Sequence, residues 1–76
     1  MNQQAQDLLT VQGFRILDII YNSITFEASN EFEYVLVSNE DGTYCLYNAD
    51  PEGEESDPNP LAEGTLAVIA TKLKEL

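Results

Sequence analysis

The chain has 76 residues and a formal net charge of −11, from 14 acidic and 3 basic residues. Its length predicts one domain, residues 1–76, and its 43% hydrophobic content is enough for a core. Such negative charge argues against direct binding to nucleic acid or to an anionic membrane. The N-terminus does not resemble a secretory signal, and no stretch approaches the roughly 20 apolar residues that span a bilayer. We therefore expect a cytoplasmic protein.

The charge is unevenly distributed along the chain. No Lys or Arg lies between Arg15 and Lys72, and twelve carboxylates fall in this interval. One explanation is that acidity keeps a small protein soluble. Another is that it attracts a basic partner. Adaptation to high salt is a third explanation, which the composition favours less.

The first predicted elements are a short helix and a series of strands. Residues 3–10 form the helix, because Ala5, Leu8 and Leu9 share one face and Gly13 follows as a stop. Four later segments are rich in β-branched and aromatic residues, which predicts strands. These strands are residues 14–21, 24–29, 32–38 and 43–47.

Two-residue turns at Asn22-Ser23, Asn30-Glu31 and Asp41-Gly42 are predicted to join the strands into a four-stranded antiparallel meander. One face would then carry Leu17, Ile19, Tyr21, Ile24, Phe26, Ala28, Val35, Val37, Tyr44 and Leu46. The other, mixed face would carry Ile16, Asp18, Ile20, Thr25, Glu27, Phe32, Tyr34, Leu36, Cys45 and Tyr47. This register also places Asp18 opposite Glu27, a like-charge pair that destabilises a sheet.

The C-terminal part is predicted to be a loop followed by a helix. Residues 48–60 form a mobile acidic loop, which is long for a compact domain. Residues 60–76 form a helix capped by Asn59, with Pro60 at its first position. Its apolar stripe is Ala62, Leu66, Ile69, Leu73 and Leu76. The fold class is therefore α+β, a two-layer α-β-β-β-β-α arrangement with both helices on the first face of the sheet.

The residue types argue against catalysis and against a cofactor. The chain has no histidine, which removes the usual general base, and a small domain leaves little room for a pocket of ~300 Å³ or more. The single cysteine, Cys45, has no basic neighbour and is expected to act as a small apolar residue. The acidic loop lacks the EF-hand spacing, since Pro51 follows Asp50 and Gly53 comes two positions early. We expect neither enzyme activity nor a bound metal.

The mixed face of the sheet is the predicted partner-binding surface. If the helices cover the opposite face, its apolar side chains form an exposed patch with an acidic rim, which is typical of interaction sites. The predicted partner-binding residues are Ile20, Phe32, Tyr34, Leu36, Tyr47, Asp18, Glu27, Glu52, Glu54, Glu55 and Asp57. The alternative is that a helix or the long loop folds over this face.

Two functional hypotheses follow from these features. The first is an interaction module or inhibitor whose acidic surface engages a basic protein. In its narrower form the protein is a decoy whose carboxylates replace phosphates in the groove of a nucleic-acid-binding protein. The second is a structural homodimer that pairs through the mixed face or through the edge strands, 14–21 and 43–47. A calcium-dependent module is a weaker third hypothesis.

Overall fold

The fold is a five-stranded antiparallel sheet with two helices, in a computed structural model that describes residues 3–49 and 59–76. In chain order the elements are α1 (Gln3–Val11), β1 (Arg15–Ile20), β2 (Ser23–Glu27), β3 (Glu33–Ser38), β4 (Tyr44–Asn48), β5 (Ala62–Gly64) and α2 (Leu66–Leu73). The strands are neighbours in sequence order, from β1 to β5. The predicted α+β class and meander are confirmed, and the sheet has five strands where four were predicted.

Both helices pack on one face of the sheet. Ile24, Leu36 and Leu46 lie side by side on β2, β3 and β4, and each is almost fully buried. They belong to one apolar cluster with Leu9 of α1 and Ile69 of α2. A buried aliphatic side chain contributes about 1.5–3 kcal/mol, so this row is a main source of stability.

Two of the hairpin loops are one residue longer than predicted. Between β2 and β3, Ala28 and Phe32 continue the pairing, since the Ala28 N–H donates to the Phe32 carbonyl; the loop is residues 29–31, with Glu31 at a φ of 71°. Between β3 and β4, the Asn39 N–H likewise donates to the Thr43 carbonyl, and the loop is residues 40–42, with Gly42 at a φ of 88°. A three-residue hairpin loop commonly ends in a residue with positive φ, as both of these do. Each longer loop shifts the strand pairing by one residue.

The shift reverses the faces of β3. Tyr34 pairs with Phe26 and Leu36 with Ile24, so Tyr34 and Leu36 face the helices and not the mixed face that the sequence predicted. Their exposed fractions are 5% and 1%. The second long loop reverses the faces again, so Leu46 lies in the core as predicted.

β1 also departs from the predicted register. A two-residue turn, 21–22, joins Ile20 to Ser23, and a bulge at Leu17 shifts the pairing between Ile16 and Asp18. Ile16 packs against the core as a result. The predicted opposition of Asp18 and Glu27 is wrong, because Thr25 lies opposite Asp18 and Arg15 lies opposite Glu27.

The predicted helix over residues 60–76 begins later than expected. Residues 62–64 form β5, which pairs with β4, and α2 starts only at Leu66. Gly64 explains the change, since its φ of 146° is not helical and a Cβ there would lie 3.2 Å from side-chain atoms of Val68. The predicted acidic loop, 48–60, is shorter at its start because Asn48 belongs to β4; its residues 50–58 lie outside the described residues.

Neighbouring substitutions in β3 test this register. Leu36→Ala is expected to lower the free energy of unfolding by about 2–5 kcal/mol, because it opens a cavity in the core. Val37→Ala, on the opposite face and only half-buried, is expected to cost much less. Urea denaturation of both variants measures the difference. A larger loss of stability in Val37→Ala than in Leu36→Ala would support the two-residue loops that the sequence predicted.

Candidate interaction surface

The face of the sheet away from the helices is called the outer face. The register places the following residues on it: Arg15, Asp18, Ile20, Ser23, Thr25, Glu27, Glu33, Val35, Val37, Cys45, Tyr47 and Glu63. It therefore combines apolar side chains with four carboxylates. Arg15 is its one cation among the described residues.

The centre of the outer face is closed to solvent. Val35 and Cys45 are buried there, although neither belongs to the core cluster under the helices. The Cys45 thiol donates to Oε2 of Glu63 at 3.3 Å and accepts from Nδ2 of Asn39 at 3.4 Å. Cys45 is thus on the predicted face, as a buried and hydrogen-bonded group. The exposed apolar surface must lie elsewhere, towards the edge of the sheet.

Like charges meet at one end of the outer face. Glu27 and Glu33 lie directly opposite each other on β2 and β3. Such a pair is destabilising. Nη2 of Arg15 lies 3.7 Å from Oε1 of Glu27, in an ion pair whose Arg15 side chain is largely exposed. A surface ion pair of this kind contributes little, so it relieves the Glu27–Glu33 repulsion only in part.

The predicted partner-binding residues fall into separate groups. Tyr34 and Leu36 are buried in the core, so their predicted exposure is wrong; the Tyr34 hydroxyl accepts from Nδ2 of Asn30 at 3.0 Å. Phe32 is 67% exposed but lies beside the loop at residues 29–31, at the opposite end of the sheet from Ile20. Ile20, Asp18, Glu27 and Tyr47 share the outer face, with Ile20 and Glu27 towards its opposite ends and Tyr47 on β4. Glu52, Glu54, Glu55 and Asp57 lie outside the described residues.

The exposed apolar side chains concentrate on β1 and its turn. Leu17, Ile19, Ile20 and Tyr21, here called the β1 ridge, are all exposed. Ile20 is 63% exposed and Tyr21 is 90% exposed. β1 is one of the two edge strands of the sheet in the described part of the chain, and β5 is the other. The sequence prediction missed Leu17, Ile19 and Tyr21 because it assigned all three to the buried face.

Asp18 protects the backbone of the edge strand β1. In an antiparallel hairpin with a two-residue turn, the two residues beside the turn form a hydrogen-bonded pair. In the next pair of opposite residues, the N–H groups point away from the partner strand. Ile19 occupies that position, and its N–H donates to Oδ1 of Asp18 at 2.9 Å. Together with the bulge at Leu17, this contact leaves β1 poorly suited to pair with another strand.

A surface cleft of about 510 Å³ lies at the turn end of the sheet, larger than the sequence led us to expect. Its lining includes Tyr21, Asn22, Ser38, Asn39 and Tyr44. The polar groups in it mainly hold the turns. The Asn22 and Ser38 backbones and side chains bond to each other, and the Asn39 amide bonds to Thr43 and Cys45. These bonds leave those groups with little capacity for a ligand.

The loop beside this cleft contains Asp41, whose carboxylate accepts two hydrogen bonds from Thr43. The hydroxyl and then the N–H of Thr43 donate to Asp41, and both bonds lower the pKa of Asp41 below its usual 3.8. A lowered pKa in the folded protein means that Asp41 adds stability above the unfolded-state pKa. That contribution is lost as the pH falls through the folded-state pKa.

Neither helix of the described residues is long and apolar enough to cross a membrane. Within residues 3–49 and 59–76, no three His, Cys, Asp or Glu side chains are grouped to hold a metal ion. Comparison with known proteins gave no match to a protein-family model, to a curated protein or to a solved structure.

The protective role of Asp18 can be tested by self-association. Asp18→Ala frees the Ile19 N–H beside exposed apolar side chains, so the variant is expected to associate more strongly than the parent protein. Asp18→Asn removes the same charge but keeps an acceptor oxygen, and it is the matched control. Sedimentation over a range of concentrations measures both. Equal association of the two variants would mean that charge, and not the hydrogen bond, protects the edge.

A second substitution tests the Asp41 contact. Thr43→Val removes the hydroxyl that lies 2.6 Å from Oδ1 of Asp41, so the pKa of Asp41 is expected to rise towards 3.8. NMR titration of the carboxyl group measures this shift. Thr71→Val is the control, because the Thr71 hydroxyl donates to the Ala67 carbonyl in α2. An unchanged Asp41 titration in Thr43→Val would rule out the hydroxyl as the main cause.

Proposed function

We propose that this protein is a non-enzymatic interaction module or inhibitor whose acidic surface engages a basic protein. The observation that carries the proposal is the exposed β1 ridge with Asp18, whose exposed side chain lies on the same strand between Leu17 and Ile19. Exposed apolar side chains rimmed by polar groups are typical of interaction sites. The net charge of −11 would steer a basic partner towards this surface and speed its association.

The opposed Glu27 and Glu33 carboxylates support a cationic partner. The register places the two residues directly opposite each other, and Arg15 forms an ion pair with Glu27. A Lys or Arg of a partner placed between the two carboxylates would remove the repulsion. Binding would then gain free energy that the isolated protein lacks.

A nucleic-acid-binding protein is the narrower candidate for the partner. Its basic groove is shaped for phosphates, and a carboxylate array can occupy such a groove in their place. The twelve carboxylates between residues 18 and 63 supply the charge that this decoy mode requires. Charge alone supports this decoy mode, and the broader proposal of a basic partner does not depend on it.

A homodimer through the outer face is the second candidate function. The exposed Ile20 side chain on an edge strand favours it. Charge opposes it, because each copy carries a net charge of −11. The protection of β1 by Asp18 also opposes pairing between two copies of this strand. A sedimentation mass equal to the monomer at high concentration would remove this candidate.

Partner capture tests the main proposal. The tagged full chain is used to retain proteins from a lysate at low salt, followed by elution at high salt and identification by mass. A retained protein should be basic, since the interaction depends on opposite charges. A partner that is acidic or that stays bound regardless of salt contradicts the proposal.

Charge substitutions then test the surface with that partner. Glu33→Gln is expected to slow association several-fold and to raise the free energy of unfolding by about 0.5 kcal/mol, because it removes the repulsion with Glu27. Glu75→Gln is the control, since Glu75 pairs with Lys72 at 3.5 Å near the end of α2. Replacing Glu52, Glu54, Glu55 and Asp57 with amides should also slow association. Equal effects of Glu33→Gln and Glu75→Gln would indicate that only net charge matters.

A further inference from the structure

The β1 ridge is unusual for a strand at the edge of a small acidic protein. Seven large apolar side chains are exposed in the described residues, and four of them are Leu17, Ile19, Ile20 and Tyr21. By the register, Ile19 lies opposite Ile24 on the helix side and Ile20 lies opposite Ser23 on the outer side. The apolar surface therefore wraps around the edge of the sheet, with Asp18 in its middle.

The conformation of Tyr21 is costly for the hairpin. Its φ is 50°, in the left-handed region that bulky side chains rarely adopt. The neighbouring Asn22 is of a residue type that tolerates this conformation more easily. Because Tyr21 is 90% exposed, burial of its ring does not explain its presence in the turn. An outlier of this kind motivates a functional hypothesis, since strained residues cluster at functional sites.

The backbone of β1 does not offer a simple template for strand addition. The Ile19 N–H is already bonded to Asp18, and the bulge at Leu17 interrupts the regular spacing. Binding must therefore use side chains. The exposed Asp18 carboxylate lies between apolar neighbours, where it can accept from a cation of a partner while those neighbours contact apolar groups.

We propose that the β1 ridge binds the basic partner through side chains, with Asp18 accepting a Lys or Arg and Ile20 and Tyr21 packing against apolar residues beside that cation. This inference rests on the proposed function and adds the place and mode of contact. Charge complementarity favours a basic partner over a second copy of the chain. A second copy would place two Asp18 carboxylates near each other and would itself carry a net charge of −11.

Three synthetic peptides of equal length test the chemistry of the occupant. One alternates Leu and Lys, the second alternates Ser and Lys, and the third alternates Leu and Glu. Each is titrated into the isotope-labelled full chain, and amide NMR shifts report where it binds. The Leu-Lys peptide is expected to shift residues 17–21 and to bind at least about tenfold more tightly than the Ser-Lys peptide. The Leu-Glu peptide is expected not to bind.

Variants of the full chain locate the contact. Ile20→Thr keeps a β-branched residue in the strand and is expected to weaken binding of the Leu-Lys peptide about tenfold. Val68→Thr makes a similar change on α2, where Val68 is also exposed, and should leave binding unchanged. Tyr21→Asn is expected to weaken binding while raising the melting temperature, because Asn accepts the positive φ more readily. A binding loss with a more stable fold cannot be ascribed to unfolding.

Asp18→Ala separates the two modes of contact at concentrations where the variant is monomeric. In the side-chain mode it weakens binding, because the acceptor for the cation is lost. In strand addition it strengthens binding, because the Ile19 N–H becomes free, and this result would overturn the inference. Equal binding of the Ser-Lys and Leu-Lys peptides would also overturn it, while leaving the charge-based function in place. If neither cationic peptide binds, the proposed function fails together with the inference.

Discussion

The row formed by Ile24, Leu36 and Leu46 determines most of this structure. The three side chains lie next to one another across β2, β3 and β4, and both helices pack over them. Such a row requires odd-length loops between the strands, because adding one residue to a loop moves every side chain of the next strand to the other face. The residues with positive φ, Glu31 and Gly42, make those loops possible.

The same row forces the electrostatic features of the outer face. Burial of one aliphatic side chain contributes about 1.5–3 kcal/mol, whereas a cross-strand like-charge pair costs only about 0.2–1 kcal/mol. A register that separates Glu27 from Glu33 by one residue would expose Leu36, so the core prevails. The repulsion of these two carboxylates is therefore a tolerated consequence of the core, which a basic partner could relieve.

Hydrophobic spacing predicted the types and order of the elements but not the details that place the site. The class, the first helix, the four main strands and the inward positions of Phe26 and Leu46 all follow from local patterns. The local pattern did not predict which face of β3 is buried. Tyr34 and Leu36 form one apolar face of this strand and Val35 and Val37 form the other, so only the loop length decides which of them faces the helices. The position of Tyr21 in the turn was not predicted, for a related reason. Asn22-Ser23 has the composition of a turn, so no local pattern indicated that a tyrosine would take the strained position.

The negative charge of the chain bears on how β1 can expose apolar side chains at an edge of the sheet. An outermost strand with exposed apolar side chains would ordinarily promote association between copies. Here the net charge of −11 opposes association between copies, and Asp18 occupies a backbone donor that another strand would need. Neither feature would repel the cationic partner that we propose, because the net charge would attract it and the Asp18 carboxylate could accept its cation. Specificity is a difference between affinities. The features that weaken self-pairing therefore leave the ridge available to a partner of opposite charge.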